Sequence, residues 1–140
     1  MTTSLKWIKP SNIREIWPTI KPGIDIIEGK TDTWIAEQLY HLILTGSVSL
    51  HIYYEDKKYT GFIITQQYEF CGEKTLHIFA AYSKGNDFDI LKENTETIKE
   101  WGRNIEATKI TFSTRRKGWL KVGPKLGYQP SSLVTYELKL

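Results

Sequence analysis

The sequence predicts an α+β (α/β) domain with a mixed, mostly antiparallel central sheet, helices on both faces and the element order β-α-α-β-β-β-α-β-α-β. Three observations carry this expectation. The apolar residues recur with a period near 3.6 up to Gly46, with a period near 2 from Ser47 to Ser83, and with helical spacing again over 89–107. Within the alternating stretch, Asp56-Lys57-Lys58 and Cys71-Gly72-Glu73-Lys74 separate three runs rich in β-branched and aromatic residues, the pattern of an antiparallel meander. A helical crossover from that meander into a further strand implies a layered sheet rather than a bundle or a sandwich.

Taken in order, residues 5–8 alternate weakly and read as a first strand, stopped by Pro10. Ser11 and Asn12 are good helix caps, and Asn12 with Glu15 has capping-box spacing. Trp17-Pro18 predicts an interruption after one turn, followed by a second helical start with Ile20, Ile24 and Ile27 inward. Thr31 or Asp32 caps a clearer helix with the stripe Ile35, Leu39, Leu42 and Ile43, and Gly46 ends it. Strands follow at 47–55, 59–70 and 75–83. Residues 89–107 form one helix, with Leu91, Ile98, Trp101 and Ile105 on one face and Lys92, Glu93, Glu96, Lys99 and Glu100 on the other. Residues 109–114 read as a strand, 117–126 as a short helix strained by Gly123-Pro124, and 133–140 as a last alternating strand.

The chain has 140 residues, of which 18 are aromatic and 25% charged, and this composition fits one domain spanning 1–140 with a single core. One cysteine, Cys71, leaves no internal disulfide, which fits a reducing compartment. The N-terminal stretch carries no apolar run of signal-peptide length, and no window approaches the ~18 apolar residues of a membrane span, so a soluble intracellular protein is expected. The net charge of +3 hides an asymmetry: residues 1–107 carry twelve basic against fifteen acidic groups, residues 108–140 seven against one. The basic cluster Arg115, Arg116, Lys117, Lys121 and Lys125 could face an anionic ligand, nucleic acid or an acidic protein surface, or be a solvated helix face.

Several chemistries lack their residues. No His-x-x-x-His, clustered Cys or EF-hand spacing occurs, so metal chemistry has no support. Neither Gly-x-Ser-x-Gly nor Gly-x-x-x-x-Gly-Lys is present, which removes serine hydrolases and nucleoside-triphosphatases of the P-loop kind. Cys71 stands at a hairpin tip and reads as an exposed, oxidisable thiol.

More specific are Ile16-Trp17-Pro18, Val48-Ser49-Leu50-His51-Ile52, Trp101-Gly102, Arg116-Lys117-Gly118-Trp119, and Gly123-Pro124-Lys125-Leu126-Gly127-Tyr128. With the element order, these pieces make the chain similar to the GNAT superfamily of acetyl-coenzyme A dependent N-acyltransferases over its whole length. It resembles in particular the small GNAT-like proteins encoded by tailed bacteriophages and prophages. The resemblance implies a coenzyme A site between two splayed parallel strands, 76–82 and 109–114. The loop after the first strand would bind the pyrophosphate through its backbone and the following helix N-terminus. On that pattern Ala81, Tyr82, Ser83, Lys84 and Gly85 would contact the coenzyme, and Arg115 and Arg116 its 3′-phosphate.

Two departures from the family pattern matter. Where the family carries Gln or Arg, two variable residues, Gly, one variable residue, and Gly or Ala, this chain has Tyr82-Ser83-Lys84-Gly85-Asn86-Asp87, retaining Gly85 alone. Where many members place a proton-donating Tyr, four residues before the Gly of the terminal Gly-Tyr pair, this chain has Gly123. Ser113, Thr114 and Tyr128 are substitutes by proximity in sequence. His51, His77, Glu69 and Glu73 are candidate bases by residue type, although a lone His in an alternating strand, like His41 in its helix, is by default an ordinary packed side chain.

These departures lead to the expectation of a non-catalytic phage virion, assembly or host-interaction protein. It would reside in the cytoplasm of a bacterial host or in the virion, with a phage structural or host protein as partner. The alternative is an acetyl-coenzyme A dependent N-acetyltransferase acting on an amine of a protein or small molecule. Nucleic-acid binding through the C-terminal basic segment is the weaker third reading.

Overall fold

The computed structural model describes residues 2–29, 34–85, 87–114, 117–131 and 135–140, with the backbone alone at 87–89. Strand β1 (Thr3–Ile8) leads through a single 3-10 turn, Pro10–Asn12, into helix α1 (Ile13–Glu28), followed by α2 (Ala36–Leu44). The meander is β2 (Ser49–Glu55), β3 (Lys58–Phe70) and β4 (Glu73–Ser83); α3 (Asp87–Glu93) and α4 (Thr95–Asn104) then cross over to β5 (Lys109–Phe112). A four-residue α5 (Trp119–Val122) runs into a second 3-10 turn, Gly123–Leu126.

The five strands lie in the order β1-β2-β3-β4-β5, antiparallel throughout except for the parallel pair β4 and β5. Alternation along each strand supplies two apolar faces. Ile8, Leu50, Ile52, Phe62, Ile64 and Ala80 pack under α1 and α2, while Tyr53, Ile63, Leu76 and Ile78 pack under α3 and α4. The sheet is therefore covered on both faces, as the sequence predicts. Two-residue turns at Asp56-Lys57 (φ 50° and 67°) and Cys71-Gly72 (φ 53° and 82°) are left-handed at both positions, which matches the twist of tight hairpins.

Four expectations are corrected. Helix α1 is continuous through Pro18 and Pro22 rather than broken at Trp17-Pro18. Each proline removes a backbone hydrogen bond, yet Ile13, Ile20 and Ile24 are completely buried against the sheet and Trp17 packs edge-on against Tyr40 of α2 at 5.0 Å, so tertiary contact holds the helix together. The single helix expected over 89–107 is two, divided at Asn94, whose buried side-chain amide joins its own backbone N–H on the Ile90 carbonyl, at 2.8 and 3.2 Å, while the next hydroxyl, Thr95 Oγ1, donates to the Leu91 carbonyl at 2.8 Å. The helix expected over 117–126 shrinks to one α turn and one 3-10 turn, because Gly123 and Pro124 disfavour α geometry.

The strand expected at 133–140 is the fourth. Residues 135–140 join no ladder, and Tyr136, Leu138 and Leu140 are exposed; residues 133 and 134 lie outside the described residues. Alternation is a local signal, and by itself it does not pair a segment with a sheet edge. The expected cap at Thr31 or Asp32 also lies outside the described residues. Helix α2 begins instead after Ile35, whose N–H donates to Gln38 Oε1 at 3.1 Å.

Candidate functional site

The parallel ladder pairs Thr75, Leu76, His77 and Ile78 with Lys109, Ile110, Thr111 and Phe112, and there it stops. Strand β4 continues to Ser83. On its other edge it stays paired with β3 as far as Gly61 opposite Ser83, so residues 79–82 present an edge toward β5 with no strand beside it among the described residues. Ile64 pairs with Ala80 and Thr65 with Ile78, leaving Phe79 as an extra, bulged residue. A bulge bends and twists the strand that carries it, and this one falls at the level where the ladder between β4 and β5 ends. The close approach at Gly61 keeps the far end of β4 on β3, since a Cβ there would stand 2.1 Å from the Tyr82 carbonyl oxygen. The strands expected at 76–82 and 109–114 are thus adjacent and parallel, and their pairing ends at Ile78 and Phe112.

The residues expected to meet a coenzyme fall as follows. Ala81 lies opposite Ile63 and packs with the α3 and α4 cluster. The Tyr82 ring turns the other way, under α1, stacked on Phe62 at 5.6 Å. Ser83 is buried at the strand end. Lys84 donates its N–H to the Thr60 carbonyl at 2.9 Å and places its ammonium 5.3 Å from the centre of the Tyr59 ring. Gly85 faces open space, and α3 starts two residues later. Arg115 and Arg116 lie outside the described residues. Gly123, at the position of the family's Tyr, rests against Trp119 and Tyr128, which together with Phe112 form an aromatic cluster of edge-on contacts 4.6 to 6.1 Å apart.

Of the four candidate bases, His51 is buried on the α4 side, stacked on Trp101 at 4.0 Å, and burial drives its pKa down to about 4. Glu69 sits opposite Lys74 on the exposed hairpin. Glu73 accepts a hydrogen bond from Thr108 Oγ1 and an ion pair from Lys109 at 3.6 Å. His77 is different: it is one ladder position from the end of that pairing, half-buried, with Nδ1 2.9 Å from Thr111 Oγ1 and its ring 5.6 Å from that of Tyr68. Burial lowers its pKa below the ordinary 6.5, so the ring is neutral at pH 7. Thr111, Tyr68 and Phe79 had no signal in the sequence as site residues, because only cross-strand register brings them to His77.

Among the described residues, no helix is long and apolar enough to cross a membrane, and no group of three His, Cys, Asp or Glu residues is placed to hold a metal ion.

No protein-family model matches the sequence, and no curated protein matches it. Solved structures do match along its whole length. The ribosomal-protein-alanine N-acetyltransferase of Brucella melitensis biovar Abortus 2308 superposes with a TM-score of 0.70 at 12% identity, over 99% of this chain and 100% of that one. The aminoglycoside N-acetyltransferase AAC(6')-Iy, in complex with the bisubstrate analog CoA-S-monomethyl-acetylneamine, gives 0.70 at 13% identity over 100% and 99%. Glucosamine-6-phosphate N-acetyltransferase of Arabidopsis thaliana gives 0.66 at 12% identity over 99% of each. A five-stranded, mostly antiparallel sheet with helices on both faces, superposing along its whole length on these N-acetyltransferases, gives this chain the GNAT fold.

Proposed function

We propose that the chain is an acyl-coenzyme A dependent N-acyltransferase that moves an acetyl group from acetyl-coenzyme A to an amine. The observation that carries this reading is the β4 edge at 79–82, which has no strand beside it on the β5 side among the described residues. Successive residues of a strand turn their N–H and C=O groups to opposite edges, so this segment offers backbone donors and acceptors to an extended, amide-bearing ligand such as the pantetheine arm. The open space at Gly85 allows the phosphates to approach the backbone, with Lys84 the nearby cation and Arg115 and Arg116 suited to the 3′-phosphate. Two of the structural neighbours carry coenzyme A or a bisubstrate analog of it.

Two observations favour a second reading, a fold kept without catalysis in a phage virion, assembly or host-interaction protein. The Lys84 N–H is already bonded to Thr60, and Gly123 supplies no hydroxyl to the departing thiolate.

Isothermal titration with acetyl-coenzyme A separates the two. Saturable binding is expected, with a thermal midpoint that rises with ligand concentration, because a ligand that binds the folded state alone stabilises it by mass action. Gly85→Asp should weaken affinity about tenfold or more, since it sets a carboxylate among phosphates. No heat and no thermal shift at millimolar ligand would decide for the non-catalytic reading.

A further inference from the structure

The face of the sheet that α1 and α2 cover does not end with them. Beyond Phe62, Ile64, Ala80 and Tyr82 it continues onto the projecting β3–β4 hairpin as Gln66, Tyr68 and Phe70 on β3, Thr75, His77 and Phe79 on β4, and Lys109 and Thr111 on β5. Register puts Gln66, His77 and Thr111 in one row across three strands. That row sits one step from the last rung of the β4–β5 ladder, Ile78 with Phe112. Tyr68 is half exposed and Phe70 mostly so, while Trp34, in the segment before α2, lies 6.0 Å from Phe79. An aromatic surface with a short polar row beside an open backbone edge is the composition of a ligand site rather than of an inert surface.

We propose that this row is the acceptor side of the reaction, with His77 Nε2 as the general base and Thr111 as its positioning residue, and that it takes a primary amine carried on a flat apolar body. The inference rests on the acyl-transfer reading above. Nδ1 is held by Thr111, and Nε2 has no partner among the described residues. The amine nitrogen forms a bond to the acetyl carbonyl carbon and gives its proton to Nε2. The C–S bond breaks with its electron pair on sulfur, the thiolate takes a proton from solvent, and the imidazolium releases its own to solvent.

Charge sets the acceptor class. The one carboxylate on this face of β3, β4 and β5 is Glu73, and it is held by Lys109 and Thr108. A polycationic acceptor would find no free counter-charge there, whereas a single amine with an aromatic or apolar body finds Tyr68, Phe79 and Trp34. The titratable groups near His77 on this face are Tyr68 of β3, Glu73 of β4 itself and Lys109 of β5. Its lowered pKa has burial as its sole cause, so the base is not tied to a charged neighbour.

The test uses 2-phenylethylamine and spermidine as acceptors and acetyl-coenzyme A as donor. Turnover with 2-phenylethylamine should exceed that with spermidine at least tenfold in kcat/KM. His77→Gln should lower kcat about 10²-fold while acetyl-coenzyme A affinity stays within twofold, and it should remove the bend in the pH profile that lies below 6.5. Thr111→Val should move the His77 imidazole titration seen by proton NMR, and Thr111→Ser should restore it. Added to the chain alone, 2-phenylethylamine should shift the His77 and Tyr68 resonances. Full kcat in His77→Gln at intact donor affinity overturns the base, spermidine as the better acceptor overturns the acceptor class, and unmoved resonances overturn the site. Failure of the acyl-transfer reading shows separately, as absent acetyl-coenzyme A binding to the wild-type chain before any acceptor is added.

Discussion

Gly23 of α1 and Tyr82 of β4 are in contact so close that a Cβ on Gly23 would stand 2.6 Å from Tyr82 Cδ2, with Phe62 Cε2 behind it at 3.0 Å. The helix thereby pins the side chain of a residue whose backbone borders the open edge. Tyr82, at the position where the family's loop begins, belongs through its ring to the core and through its backbone to the site.

Gly23→Ala is therefore expected to destabilise the chain by about 1–2 kcal/mol, measured by urea denaturation. Alanine gains about 1 kcal/mol in helix propensity, but the ring atoms it meets cannot withdraw without repacking Phe62.

Gly61→Ala should be worse, at about 3 kcal/mol in the same measurement, because its Cβ would meet backbone: the Tyr82 carbonyl oxygen at 2.1 Å. A loss no larger than that of Gly23→Ala would show that β3 and β4 can separate at this end without cost.

His51 makes stability depend on acid. Its pKa of about 4 in the fold, against 6.5 unfolded, means that the unfolded chain binds more protons between those values. This contribution is fully present above pH 6.5 and is lost as pH falls toward 4, reaching about 3 kcal/mol. Urea midpoints taken across that range should fall with pH, and His51→Phe, which can still stack on Trp101, should flatten the dependence.

Tyr59 has a buried hydroxyl with no hydrogen-bond partner. Burial, with the neighbouring Tyr82 phenol, raises its pKa far above the ordinary 10. Removing an unsatisfied polar atom while keeping the ring should stabilise, so Tyr59→Phe is expected to gain about 1 kcal/mol in thermal or urea denaturation. A loss of similar size would mean that the hydroxyl is satisfied in solution.

What the sequence determined alone is the meander, the crossover and the two-sided core. Alternation over 47–83, turn residues at Asp56 and Gly72, and the helical stripe through Leu91, Ile98 and Trp101 are local signals, and local propensity agrees with the global fold at each of them. The placement of two parallel strands as neighbours came from the resemblance to the GNAT superfamily, and the register bears it out. Tertiary structure decided the rest, because the deciding contacts join residues far apart in the chain. Burial of Ile13, Ile20 and Ile24 against the sheet carried α1 across Pro18, which reads as a break, and on through Pro22, and the alternating segment 135–140 stayed out of the sheet. The site shows the same division. A loop motif is contiguous and can be read, whereas the bulge at Phe79, the open β4 edge and the meeting of His77 with Thr111 exist only once register is set, and register is a property of paired strands rather than of either strand alone.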